Sequence, residues 1–323
     1  MRKSLARIIL LTAGLAAAAF AGAQEAERIP KIMKIVVPFS PGGSNDQIAR
    51  VIAPALARRL GNSVIVENKP GAGGVIGSDS VAKSAPDGSV LLLSSSSFLT
   101  AAATQPRTPF DPVGSFAPVA MVAEGPLLLA VPASARSQSP QELLTDARAR
   151  PGAVTYASSG MGSVAHLATE LLSDDAKLQL LHVPYKGAAN ALLDLISGQI
   201  DMMLSNYSSL APQIKAGKVR PLAVTSQEKS PVFADLPPLS ASVPGYAIDI
   251  WVGVLAPAGT PESVIRRLNR EINEISVSPE VRTLLDPDGA RPTSMTPSDY
   301  GMRIKSDFAK WKRIAAERKI VIE

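Results

Sequence analysis

The sequence predicts an α/β fold, and three observations carry that expectation. Short apolar runs suited to strands alternate with stretches of helical spacing along most of the 323 residues. Such alternation points to layered α/β architecture with mostly parallel strands. Two glycine-rich turns, residues 37–46 (VPFSPGGSND) and 155–166 (TYASSGMGSVAH), each lie between a strand-like run and a helix-like run. Helix starts with a cap residue followed by proline recur at Ser139-Pro140, Thr260-Pro261 and Thr296-Pro297, the order expected at an N-cap and first helical position.

In chain order, residues 34–39 read as the first strand. A helix follows with Ile48, Val51, Ile52, Ala55, Leu56 and Leu60 on one face. Ser44 or Asp46 is its expected N-cap, Gly61 its stop, and Pro54 should kink it. Residues 64–67 form the next strand. A Pro-Gly turn at 70–74 precedes a short helix ending near Ala85, and Pro86-Asp87-Gly88 turns the chain into a strand at 89–94. Residues 94–97 read as a short polar loop. Ser139 to Glu142 form a capping box. Residues 178–185 are a strand and 188–197 a helix. The helix after Thr260 buries Val264, Ile265, Leu268, Ile272 and Ile275. The last helix places Ile304, Phe308, Trp311 and Ile314 on one face, so Trp311 is expected in the core.

The N-terminus reads as a cleavable export signal. Arg2, Lys3 and Arg7 precede an apolar stretch at residues 8–20, and Ala21-Gly22-Ala23 has the form of a cleavage site. Cleavage near Ala23 would leave a chain of two-domain size in the periplasm. The net charge is +5 with those three basic residues included, and no basic run is interleaved with aromatics, so no nucleic-acid partner is expected. The chain has no cysteine and two histidines, which excludes disulfides and thiolate metal sites and leaves too few ligands for a histidine metal site. Neither a metal nor a cofactor is expected.

The glycine turns carry the functional signal. Each presents backbone N–H groups and hydroxyls at a helix start, where the dipole favours an anion. Gly42, Gly43 and Ser44 would donate from one side, and Ser159, Gly160, Gly162 and Ser163 from the other. Residues 124–132 and 243–252 look like two crossing points between lobes. One lobe would then comprise residues 24–126 and 251–323, and the other 127–250. A dinucleotide site is disfavoured, because neither following strand ends in the acid that would hold a ribose. Hydrolase chemistry lacks a G-x-S-x-G elbow, and S-x-x-K at Ser80 to Lys83 stands alone. His166 is read either as a ligand donor or as a packed residue, and His182 as structural. Asp46 is read either as a ligand contact or as a helix cap. Lys186 is read as solvated, and residues 70–74 as a tight packing turn.

Taken jointly, several runs resemble the substrate-binding proteins of tripartite tricarboxylate transporters, the Bug family. They are Ile35 to Asp46 (IVVPFSPGGSND), Val66 to Gly74 (VENKPGAGG), Ala85-Pro-Asp-Gly88, Tyr156 to Gly160 (YASSG), His182 to Gly187 (HVPYKG), Leu222 to Thr225 (LAVT) and Leu255 to Pro261 (LAPAGTP). The resemblance implies a two-lobed, type II binding-protein fold with mixed sheets flanked by helices and a ligand cleft between the lobes. It implies a non-enzymatic solute receptor for a small organic carboxylate that serves integral membrane transporter subunits; a monomer is expected. A sensor feeding a two-component system is the alternative. By resemblance, the turns at Phe39 to Asp46 (with Phe39 and Ser40) and at 158–163 hold the ligand carboxylate, Asn206 lies near the cleft, and Ser96 belongs to a loop that faces it. The chain departs from the family pattern at Asn45, at Pro54 and at Ser97-Phe98-Leu99, where relatives carry a His and an Asn-Pro. Phe98 therefore suggests a ligand with an apolar body.

Overall fold

The computed structural model describes residues 29–317 and 319–321; the expected export signal lies outside the described residues. The first half opens with β1 (Ile32–Val37), α1 (Ser44–Leu60), β2 (Ser63–Asn68), α2 (Val75–Ala82), β3 (Val90–Ser95), α3 (Ser97–Thr104) and β4 (Phe116–Pro126). The middle segment holds β5 (Leu128–Pro132), α4 (Pro140–Ala149), β6 (Thr155–Ser158), α5 (Val164–Asp175), β7 (Leu181–Pro184), α6 (Ala188–Ile196), β8 (Met202–Ser205), α7 (Tyr207–Lys215) and β9 (Val219–Val224). The chain then returns with β10 (Asp249–Pro257), α8 (Glu262–Ser276), α9 (Pro279–Leu285), β11 (Arg291–Pro292) and α10 (Pro297–Glu317).

These strands make two sheets, β11-β4-β10-β3-β1-β2 and β7-β6-β8-β5-β9. Within each, the strands joined by crossover helices run parallel: β1 with β2 and β3, and β6 with β7 and β8. The pairings of β4, β5, β10 and β11 are antiparallel. The expectation of mostly parallel strands is therefore corrected to two mixed sheets. The physical reason is connectivity: β5 and β10 begin directly after the chain changes sheets, so each enters its new sheet from the opposite end.

Helix α1 follows its apolar spacing, with Ile48, Ile52 and Leu56 buried against the first sheet. It runs through Pro54, whose exposed position lets water satisfy the carbonyl that loses its donor. Gly61 ends it in the left-handed conformation, φ 65°. The five apolar positions expected on α8 are all buried, as are Ile304, Trp311 and Ile314 on α10. Ser139 caps α4 through the Glu142 N–H, 3.2 Å away. The Thr260 hydroxyl instead donates to the Pro257 carbonyl, and Pro261 occupies the N-cap of α8.

One apolar core lies between the first sheet and α1, α8 and α9. A second packs α6 and α7 on the other sheet. A third is shared by both halves, running from Phe98 and Leu99 of α3 to Leu167 of α5, Tyr246, Trp251 and Trp311. The halves thus meet along a continuous apolar seam on one side. On the other they leave a cleft.

Candidate functional site

The cleft encloses about 110 Å³ and takes its walls from both halves. The first half contributes Phe39, Ser40, Gly43, Ser44, Asn45 and Asp46, with Ser95 and Ser97. The second contributes Ser159, Val164, Ala165, the stretch from Gly187 to Asn190, Asn206 and Ser209. Leu127, Met203 and Ile250 are among its apolar walls, and no Lys or Arg lines it.

Three helices begin at this cleft without a side-chain cap. Gly43, Gly187 and Asn206 are the N-caps of α1, α6 and α7, and none has a side-chain cap hydrogen bond. The first N–H groups of a helix have no intrahelical partner, and the dipole makes such ends attractive to anions. For α1 the N-cap is Gly43, not Ser44 or Asp46 as the sequence suggested. Asp46 has a different task. Its carboxylate accepts the Gly42 N–H (2.9 Å), the Asn68 amide (2.9 Å) and the Arg50 Nε–H (2.9 Å). Burial pushes its pKa up, but the Arg50, Gly42 and Asn68 bonds outweigh that and hold it below the usual carboxylate value. Asp46 lines the cleft as a neutralised brace that folds the turn, with Gly42 at φ 90°.

The second glycine turn is built differently from the expectation. Gly160 N–H donates to Ser158 Oγ (3.2 Å), Gly162 N–H to His166 Nδ1 (3.1 Å), and Ser163 N–H to the Gly160 carbonyl (3.1 Å). Ser163 caps its own helix by accepting the His166 N–H, and is fully buried. The Val164 N–H donates to Ser97 Oγ across the seam, 3.0 Å. Of the residues expected here, Ser159 lines the cleft; Gly160, Gly162, Ser163 and His166 do not. The turn uses its donors internally, so its role is to shape the wall.

His166 supports that turn. It is 5% exposed, and its ring stacks on His182 with centroids 3.9 Å apart. His182 stacks in turn on Tyr156, and its Nε2 lies 2.7 Å from Ser158 Oγ. Burial, with the neighbouring His182, pushes the His166 pKa down to about 3; burial alone lowers His182 to about 4. Both rings are neutral, and His166 Nδ1 is free to accept. The packed reading of His166 is the one the geometry favours.

Ser96 also faces away from the cleft. Its hydroxyl accepts the Trp251 N–H, and its own N–H donates to the Trp251 carbonyl, each at 3.0 Å. Its neighbours Ser95 and Ser97 face the cleft instead, a one-residue offset that alternation along a strand end produces. Residues 97–101 are helix, not loop. Phe98 is 1% exposed and packs on Phe110 and Phe116 with ring centroids 5.6 and 5.0 Å away, so it is core rather than ligand platform.

The starts of α6 and α7 escaped sequence reasoning as donors. The signal was a glycine followed by Ala-Ala-Asn, a helix start with no capping side chain. Lys186 matters through its backbone, since its carbonyl accepts the Ser40 hydroxyl at 3.1 Å. The turn at residues 70–74 packs against the second glycine turn: a Cβ on Gly73 would sit 2.3 Å from the Met161 carbonyl oxygen.

Residues 48–320 match the sequence profile described as the tripartite tricarboxylate transporter family receptor. The chain belongs to this receptor family. Protein BugT of Bordetella pertussis is 37% identical over 313 residues, covering 96% of this receptor and 95% of BugT. Rpa4515 of R. palustris, solved with adipate, superposes with a TM-score of 0.85 at 34% identity, covering 90% of this receptor and 98% of that chain. MatC from Rhodopseudomonas palustris with bound malate gives a TM-score of 0.83 at 31% identity, covering 88% of this receptor and 98% of that chain. The receptor is thus a binding protein and not an enzyme. Among its described residues, no helix is long and apolar enough to cross a membrane, and no cluster of His, Cys, Asp or Glu is suited to a metal.

Proposed function

We propose that this receptor captures a small organic carboxylate in the periplasm and passes it, as a monomer, to the integral membrane subunits of a tripartite transporter. The observation that carries the reading is the convergence of uncapped helix starts from both halves, α1 and α6, on one cation-free cleft. Neutral N–H donors grip a carboxylate without the desolvation cost of a buried cation. Two of the relatives carry dicarboxylates, adipate and malate, in their structures. The export signal expected over residues 1–23 supports the location.

The division into residues 24–126 with 251–323, and 127–250, is proposed as the pair of moving lobes, with Phe39, Ser40, Gly43, Ser44, Ser159 and Asn206 as ligand contacts. Closure then brings both sets of donors onto one ligand and excludes water, which strengthens those bonds. Calorimetry on purified, ligand-stripped protein against a panel of carboxylic acids tests the reading. Saturable binding of at least one acid is expected; silence across mono-, di- and tricarboxylates of both aliphatic and aromatic kinds overturns it.

A further inference from the structure

The third uncapped helix start is not vacant. Asp288 sits on the short turn Asp286–Asp288 after α9, in the first half of the molecule. Its carboxylate crosses to the second half and accepts the Ser208 N–H at the start of α7. Asp288 is 4% exposed. Asp46 is neutralised by Arg50, but no cation among the described residues acts on Asp288. Burial raises its pKa to about 6 against the opposing Ser208 bonds, so it is ionised at about pH 8. Its chamber holds about 20 Å³, room for about one water. Ser44, Asn206 and Ile250 line both that chamber and the main cleft.

The anion position at α7 is therefore taken by the protein's own carboxylate. The starts of α1 and α6 remain, and they adjoin each other: a Cβ on Gly187 would lie 3.6 Å from Ser40 Cβ. They make a single anion end. Beyond it, Leu127, Val164, Met203 and Ile250 give the cleft apolar walls, among which Ser95, Ser97, Ser205 and Ser209 are uncharged. We infer that Asp288 makes this receptor selective for one-headed carboxylates, acids with a single ionised group and an apolar body. It does so by occupying the second anion position and repelling a second carboxylate across the Ser44–Asn206–Ile250 wall. Two like charges in a poorly solvated site repel strongly, and neither has a counter-ion there. The inference rests on the carboxylate reading above and narrows it; Asp288 acts as a specificity residue, through charge rather than contact.

The test uses three matched pairs in calorimetry at about pH 8: butyrate with succinate, hexanoate with adipate, and benzoate with terephthalate. In every pair that binds, the one-headed acid is expected to bind about tenfold tighter or more. Asp288→Asn keeps an oxygen for the Ser208 N–H but removes the charge, and should narrow that ratio about threefold or more. Asp288→Ser serves as the second variant, with circular dichroism checking that each is folded. The inference is overturned by a wild-type preference for the two-headed acid, or by a ratio that a folded variant leaves unmoved. If neither variant folds, the wild-type ratio alone decides. Binding with the opposite preference defeats only this inference; silence of all six acids defeats it too, and only silence of the full panel, tricarboxylates included, defeats the carboxylate reading as well.

Discussion

His166 and His182 show how a residue can serve the cleft without touching it. Both imidazoles are held neutral by burial, and His166 Nδ1 accepts the Gly162 N–H that shapes the second turn. Their folded pKa values, about 3 and about 4, lie below the ordinary imidazole value of 6.5. The unfolded chain therefore binds more protons, and stability present above pH 6.5 is lost as the pH falls below it. Each histidine contributes a slope of about 1.4 kcal/mol per pH unit until its folded value is reached. Asp288 acts in the opposite sense, because its folded value is raised to about 6 from 3.8 and acid favours its folded form. His166→Gln should keep an acceptor for Gly162 and remove one proton from the linkage. Urea unfolding between about pH 6 and about pH 4.5 should then show a pH slope shallower than wild type by about 1.4 kcal/mol per unit, with the curves parallel above about pH 7; parallel curves below about pH 6 would contradict the assignment.

At the scale of elements, the close approach of two glycine turns fixes how far the halves can come together. Gly73 has φ 65°, and a Cβ there would meet the Met161 backbone oxygen, an atom with no rotamer to yield. Gly73→Ala should therefore impair closure beyond its conformational strain, weakening ligand affinity by about fivefold or more. Gly61→Ala is the control, since Gly61 has the same φ of 65° but open space around it; it should lower stability and leave affinity alone. Periodicity made α1, α8 and α10 legible, because each buries one apolar stripe on a single sheet or core. The polar run at residues 94–97 hid α3, whose helical state depends on Phe98, Leu99 and Thr100 packing on distant chain. The sheet assignment of β5 and β10 was equally hidden, because antiparallel pairing between sequence-distant strands leaves no local mark.

For the whole molecule, the two passages between sheets lie side by side, at Leu127 and just before Asp249, where β10 pairs with the end of β4. Rotation about that paired edge is the motion proposed for closure, with the Ser40–Lys186 hydrogen bond at the rim. Small-angle scattering on ligand-stripped protein should show a radius of gyration that falls when a bound acid is added; an unchanged radius despite calorimetric binding would argue for a rigid cleft. A glycine pair before a long helix has few other uses and located the first turn at the cleft, while Asn206 was placed there by the family resemblance. Sequence reasoning misplaced Gly42, Ser96, Gly160, Gly162, Ser163 and His166, because whether an N–H is spent within its own turn depends on three-dimensional partners that spacing does not reveal. Main-chain donors at Gly43 and Gly187 carry a further implication for divergence. Apart from proline, no side-chain replacement deletes a peptide N–H, so the proposed head-group capture tolerates drift. The surrounding surface of Leu127, Val164, Met203 and Ile250 is free to be resculpted, and descendants of one ancestral gene can acquire new diets by altering those positions alone.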